Sequence, residues 1–269
     1  MTWQQFKITT LSKMQETESL TSTSEYRLPP AEERADYIRR NFDAIARNYD
    51  RFNDVVTFGF HRLWKRSAIR LTALPGNSGR QVLDLCCGSG DLTLLFADRL
   101  AADSKVTALD FSPGMLQILQ HRLNKKKYTC AVELREGDAA HLTDCPNDFY
   151  DAVTIGFGLR NVQDRAGCLR ECLRVLKPGR RLVILDVGRV NWTIPRVVHE
   201  FYFNHIVPRI GEWLHGERNE MYAYLPASAR IYPGQQELAR ELETAGFTDV
   251  RYTNRFLGAS VLHVAQKPV

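Results

Sequence analysis

Between Gln81 and Asp186, short apolar runs and amphipathic stretches alternate five times. Val82-Leu83-Asp84-Leu85-Cys86 reads as a short buried strand. A Gly88-Ser89-Gly90 turn follows, then a helix with Leu92, Leu95, Phe96 and Leu100 on one face. A second strand covers 105–109 and ends at Asp110, and Met115, Leu119 and Leu123 mark the next helix. Further strands fit 131–134, 152–155 and 182–186. Between the last two lies a helix carrying Leu169, Cys172, Leu173 and Leu176, stopped by Lys177-Pro178-Gly179. Neighbouring parallel strands need a crossover between them, usually a helix. This alternation therefore implies an α/β chain, with a parallel sheet and helices on both faces.

The flanks differ. From Thr9 to Ser24, nine of sixteen residues are Ser or Thr, and Pro29-Pro30 closes the stretch. Residues 1–30 are therefore expected to be a disordered tail. Ala35, Ile38, Phe42, Ile45, Tyr49 and Phe52 recur at helical spacing, which predicts a helix over 31–53. A second helix is expected over 58–73, with Phe60, Leu63, Trp64, Ala68 and Leu71 on one face. Residues 192–214 crowd apolar side chains into one helical stretch, broken near Pro208. They open a helical lid insertion over about 192–230. A helix near 235–245 and strands at 247–252 and 260–266 follow, the strands forming an antiparallel hairpin on the sheet edge. Residues 31–269 are read as a single domain.

Composition sets limits. Hydrophobic residues make up 44% and charged residues 25%, which excludes global disorder. No run of eighteen apolar residues occurs, which excludes a spanning helix. The first ten residues, MTWQQFKITT, lack the apolar core of a secretory signal. The early glutamates Glu16, Glu18 and Glu25 argue against a mitochondrial transit peptide. The expected location is cytoplasmic. The net charge of +5 is compatible with an anionic surface and compels none. Cys86, Cys87, Cys130, Cys145, Cys168 and Cys172 form no C-x-x-C pair, so they read as reduced core thiols and not as a metal site.

The chemistry gathers at the expected strand ends. Asp84 precedes the glycine turn, where backbone can approach a ligand closely. Asp110 lies twenty residues past Gly90, placed to accept hydrogen bonds from both hydroxyls of a ribose. Gly137-Asp138-Ala139 follows the third strand, where a short acid meets an adenine amino group. A dinucleotide site requires a third glycine, and that position holds Thr93. Asp84 would also repel a pyrophosphate. It suits the ammonium group of S-adenosyl-L-methionine, directly or through water.

Three blocks resemble the ubiquinone/menaquinone biosynthesis C-methyltransferases. One is Tyr49-Asp50 with Asn53-Asp54, followed by Gly59-Phe60-His61-Arg62-Leu63-Trp64-Lys65-Arg66. Another is Gly156-Phe157-Gly158-Leu159-Arg160-Asn161-Val162 with Arg174-Val175-Leu176-Lys177-Pro178-Gly179. The last is Tyr224-Leu225 with Ser228 and Pro233, then Gly246-Phe247. The resemblance implies a Rossmann-like class I methyltransferase fold with a mostly parallel seven-stranded sheet. It implies S-adenosyl-L-methionine as cofactor, with family positions at Ser89, Asp110, Asp138, Ala139 and Gly156; the strand-end reading adds Asp84, Gly88, Gly90 and Phe111 to the expected cofactor site. Many family members carry Ser at the position of Gly156, so any contact there must come from backbone. The tail Phe256-Leu257-Gly258-Ala259-Ser260 and the run Leu185-Asp186-Val187 also depart from the commoner pattern.

The implied reaction is C-methylation of a prenylated quinol, demethylmenaquinol before a 2-polyprenyl-6-methoxy-benzoquinol. The resemblance places Arg160 and Asn161 at the substrate, with Tyr49 facing them. Arg stays cationic, so it is not a simple base. It would lower the phenol's pKa, hold an activated water or stabilise the oxyanion. The competing reading makes Arg160 a salt-bridge residue, for instance with Asp164. His61 more often orients a loop than accepts a proton, and Arg62, Lys65, Arg66 and Arg70 read as a solvated helix face. The long apolar stretch would cover the prenyl tail and touch the inner face of a membrane, and a homodimer is a further expectation. An exocyclic-amine methyltransferase needs an Asn/Asp-Pro-Pro-aromatic turn after the fourth strand, so a nucleic-acid substrate is not expected. A nicotinamide enzyme and a scaffold without turnover are the remaining alternatives.

Overall fold

The computed structural model describes residues 31–215 and 221–269. The tail expected over 1–30 lies outside the described residues. Strands β1 (Gln81–Leu85), β2 (Lys105–Asp110), β3 (Ala131–Glu136), β4 (Tyr150–Gly156), β5 (Leu176–Val187), β6 (Thr248–Arg255) and β7 (Ser260–Gln266) form one sheet. Their order is β3-β2-β1-β4-β5-β7-β6. β1 pairs in parallel with β2 and β4, and β5 pairs in parallel with β4. β7 runs antiparallel between β5 and β6, so the C-terminal hairpin is present with β6 outermost. β6 is mostly exposed and polar, which suits an unpaired edge.

The order reverses between β1 and β4, because β1 continues outward through β2 while β4 continues the other way. That reversal opens a crevice at the C-terminal strand ends. The central strands are buried on both faces, as their continuous Val, Leu, Ile and Ala runs require. Helices α1 (Ala31–Val56), α2 (Phe60–Leu71), α3 (Asp91–Ala97), α4 (Pro113–Asn124) and α5 (Arg165–Val175) precede β5. The seven-stranded Rossmann-like expectation therefore holds.

Two details differ from the sequence reading. Lys177-Pro178-Gly179 does not form a loop after α5; it lies inside β5. Tyr150 faces Leu176 and Ala152 faces Arg181, so the strand bulges across these residues. A bulge tolerates a proline without an N–H, and Gly179 at φ 73 supplies its left-handed turn. Likewise, the helix over 192–214 is not broken at Pro208. α6 (Thr193–Phe201) runs through a π-helical turn, Tyr202–Ile206, into α7 (Val207–His215). The wide turn stands just before Pro208 and absorbs its missing donor. α8 (Met221–Ile231) and α9 (Gln235–Thr244) complete the chain.

α1 crosses the top of the crevice. Ile38, Phe42, Ile45 and Phe52 are buried along one stripe, clustered with Met115, Val207 and Tyr224. Asp43 accepts hydrogen bonds from Ser112 Oγ at 2.5 Å and Gly114 N–H at 3.0 Å, tying α1 to the start of α4. All six cysteines are free thiols, five of them buried, as expected of core residues. Among the described residues no helix is long and apolar enough to cross a membrane.

Candidate active site

A cleft of about 250 Å³ lies where β1, β2 and β4 end. Asp84, Gly88, Ser89, Asp110, Phe111, Asp138, Ala139 and Gly156 all line it. Gly90 does not. It caps α3 in a left-handed conformation at φ 89, and an added Cβ would fall 2.1 Å from Leu119 Cδ1. Glycine is needed there for backbone and packing. Gly88 is the opposite case: it is left-handed at φ 54, with nothing within 4 Å of an added Cβ. The cleft is open above its backbone.

Asp84 is fully buried. Thr93 Oγ1 donates to one carboxylate oxygen at 2.6 Å and Thr154 Oγ1 to the other at 2.8 Å. Burial nevertheless outweighs these bonds and pushes its pKa up to about 6. Thr93, where a dinucleotide site has glycine, thus supports this acid. Asp110 accepts the N–H groups of Gly88 at 2.7 Å and Ser112 at 2.9 Å. Burial pushes its pKa to about 6 as well. Asp138 caps its own turn through Ala140 N–H at 2.9 Å, beside buried Ala139. Gly156 meets the cleft through backbone, and a Cβ there would press to 2.8 Å from Leu92 Cδ1.

Ser89 is held by residues to which the sequence reading gave no role. Its Oγ donates to Asp50 at 2.5 Å, and Arg122 donates to the Ser89 carbonyl at 2.9 Å. Arg122 also pairs with Asp91 at 2.9 Å. Lys65 pairs with Asp91 at 2.6 Å and lines the cleft. Lys65 is therefore not on a solvated helix face: it is 7% exposed, while Arg62 alongside it is open to solvent. His61 is buried and bonded to Asp54 at 2.8 Å, outside the cleft lining.

Tyr49 and Asn161 line the cleft. Tyr224 O–H donates to Asn161 Oδ1 at 3.0 Å, which leaves the Asn161 N–H groups for the cleft. Arg160 is placed differently. Its guanidinium pairs with fully buried Asp186 at 2.9 Å and donates to the Phe157 carbonyl. It lines a smaller pocket behind Asn161. Its salt-bridge partner is Asp186; Asp164 instead caps α5 through Gly167 N–H at 2.8 Å. Burial works against the Arg160 charge, but Asp186 and the nearby Tyr49 and Tyr224 hydroxyls outweigh it and hold the cation.

The ubiE/COQ5 methyltransferase family model matches residues 31–267. The chain belongs to that family. It is 44% identical over 245 residues to a demethylmenaquinone methyltransferase of Leptospira interrogans, covering 91% of this chain and 98% of the relative. It is 39% identical over 235 residues to a ubiquinone/menaquinone biosynthesis C-methyltransferase of Hydrogenovibrio crunogenus, covering 87% and 91%. Among solved structures, the [4+2]-cyclase SpnF superposes with a TM-score of 0.61 at 17% identity, covering 91% of this chain and 100% of that one. A Haemonchus contortus phosphoethanolamine N-methyltransferase in complex with S-adenosyl-L-methionine gives 0.53 at 16% identity, covering 77% and 52%. These two likenesses concern the fold alone. The family member described here is an S-adenosyl-L-methionine-dependent methyltransferase. Its cleft fits that cofactor: buried Asp84 suits an ammonium, Asp110 lies beside the open backbone of Gly88, and Leu109 and Ala139 give an apolar wall.

The raised carboxyl groups give a pH dependence with a definite sign. A carboxyl with a pKa near 6 takes up its proton as the pH falls through 6. The ligand's ammonium favours the ionised form. Affinity for S-adenosylhomocysteine, measured by calorimetry, should therefore be highest above pH 6 and roughly tenfold weaker at pH 5 than at pH 7. Asp84→Asn should weaken binding at pH 7 and flatten the profile. A flat profile in the unaltered protein would mean that neither carboxyl meets the ligand.

Proposed function

We propose that the protein methylates a ring carbon of a prenylated quinol, converting demethylmenaquinol to menaquinol. The match to a demethylmenaquinone methyltransferase at 44% identity over 98% of that relative carries this reading. Relatives named for both ubiquinone and menaquinone stand at 39% and 36%. The bound cofactor supplies an electrophilic methyl on a sulfonium. The protein's task is to hold the quinol carbon in reach and favour loss of the neighbouring phenolic proton.

In this reading Asn161 is a catalytic residue that donates to the quinol oxygen, its amide fixed by Tyr224. Tyr49 faces the same space, edge-on to Phe42 at 5.8 Å between ring centroids. Arg160 is a positioning residue: it pins the Phe157 carbonyl and Asp186, and so fixes the loop that presents Asn161. The apolar stretch has its own part. Trp192, Ile194, Val197, Phe201 and Trp213 are 59–79% exposed along α6 and α7. Exposure of this size marks an interaction surface, and we assign it to the prenyl tail and the membrane face that delivers it.

Four measurements test the proposal. Purified protein should methylate demethylmenaquinol faster than a 2-polyprenyl-6-methoxy-benzoquinol. The reverse order would move the substrate to the ubiquinone branch, and no turnover with either would overturn the reading. Asn161→Ala should lower single-turnover methylation by about 10²–10³ with S-adenosylhomocysteine affinity unchanged. Arg160→Lys cannot reach both Asp186 and Phe157, so it should lower kcat more than it raises KM, with partial recovery at high pH where the quinol ionises unaided. Equal losses in affinity and rate would return Arg160 to a purely structural role. Finally, Phe201→Ala should raise KM more for a long-tailed quinol than for a tailless one, since each buried methylene contributes about 0.8 kcal/mol. Equal effects on the two would remove α6 and α7 from tail binding.

A further inference from the structure

We propose that Lys65 binds the carboxylate at the amino-acid end of S-adenosyl-L-methionine, so that α2 completes the cofactor site. The inference rests on that cofactor reading and concerns a residue outside the glycine turn and its acids. The amino-acid end carries both an ammonium and a carboxylate. The cleft lining supplies five acids: Asp36, Asp84, Asp91, Asp110 and Asp138. Left to these, the carboxylate would meet only like charge. Two cations line the cleft among the described residues, Arg39 and Lys65.

They stand at different ends. Arg39 pairs with Glu136 at 3.4 Å, at the end of β3 beside Asp138. Lys65 stands at the end where Asp84 lies: its charge is close enough to work against the upward shift of the Asp84 carboxyl. Its Nζ sits 5.7 Å from the centre of the Phe157 ring, which forms part of the same wall. An ammonium in this position is poised beside the acid expected to meet the ligand's ammonium.

Lys65 also has donors to give. An ammonium has three N–H bonds, and the one hydrogen bond Lys65 makes among the described residues goes to Asp91. Asp91 does not depend on Lys65 alone, because Arg122 holds its other oxygen at 2.9 Å. A buried lysine with its acid partner shared in this way can turn a donor to a ligand while leaving no charge unpaired. Burial at 7% exposure keeps water from screening that contact.

Calorimetry on the full chain with three ligands separates this role from a structural one. S-adenosylhomocysteine carries both groups, its decarboxylated analogue keeps only the ammonium, and 5′-methylthioadenosine has neither. Lys65→Met should weaken S-adenosylhomocysteine roughly tenfold to hundredfold and leave the other two within about twofold. Asp91→Asn keeps Lys65 and should preserve the preference for the carboxylate-bearing ligand. Should Lys65→Met fold poorly, Lys65→Met with Asp91→Asn removes both charges together and should show the same selective loss. Unchanged S-adenosylhomocysteine affinity, or an equal loss for all three ligands, would overturn the assignment. Failure of the unaltered protein to bind S-adenosylhomocysteine at all would overturn the cofactor reading beneath it.

Discussion

The site depends on a carboxyl group with no access to water. Asp84 sits at the end of β1, fully buried, and ties that strand to α3 through Thr93 and to β4 through Thr154. Raising a carboxyl from 3.8 to about 6 corresponds to roughly 3 kcal/mol against its ionised form. The sign follows from linkage: the folded state holds the proton more tightly than the unfolded chain. This group's contribution to stability therefore rises as the pH falls from 6 toward 4, and is unfavourable at pH 7 without a cation beside it. A cation placed beside the carboxylate would relieve that cost, so a position that weakens the free protein suits a cationic ligand.

The N-terminal helices meet this centre through charge as much as through apolar packing. Asp91 stands between Lys65 of α2 and Arg122 of α4, and the two cations together hold its carboxyl far below the usual range against the effect of burial. Asp50 of α1 joins the same network through Arg122 and Ser89. The glycine turn is thus clasped by three helices distant in sequence. A pair of exposed charges would contribute little. Here the groups share partners around a buried Lys65 and are only partly open to water, so each supports its neighbours. This couples the position of Ser89, on the cofactor side, to α1, which also presents Tyr49 to the cleft.

The parts of the molecule with local signals were legible in sequence. Strand and helix alternation gives the sheet because each buried strand must be a short apolar run, and the acids at strand ends mark the crevice. Eight of the nine residues expected at the cofactor line one cleft. What escaped reading depends on partners far away along the chain. Lys65 looks like its neighbours Arg62, Arg66 and Arg70 in a basic helix, and only the docking of α2 on α3 buries it. Arg160 and Asp186 are separated by 26 positions, so their pairing leaves no local pattern. Lys177-Pro178-Gly179 carries the signs of a helix stop, yet the strand tolerates them by bulging. The spacing of 192–214 shows a helix, but a π turn depends on how the helix accommodates Pro208.

The Gly156-Phe157-Gly158 run shows how packing, strain and function meet at one place. Phe157 is held left-handed at φ 59, a conformation that costs a bulky side chain energy. Cys86, at the end of β1, is left-handed too at φ 51. The two strained turns press together: a Cβ on Gly158 would fall 2.2 Å from Cys86 Cβ. A Cβ on Gly156 would meet Leu92, on the helix that follows the glycine turn. Both glycines are therefore fixed by close approach of the segments on either side of the glycine turn, and Phe157 between them takes the strain. Arg160 holds that strained carbonyl and anchors to Asp186 on β5. The buried ion pair thus maintains the backbone conformation that brings Asn161 to the cleft. Its burial, which removes the guanidinium from direct contact with the cleft, is what lets it do so.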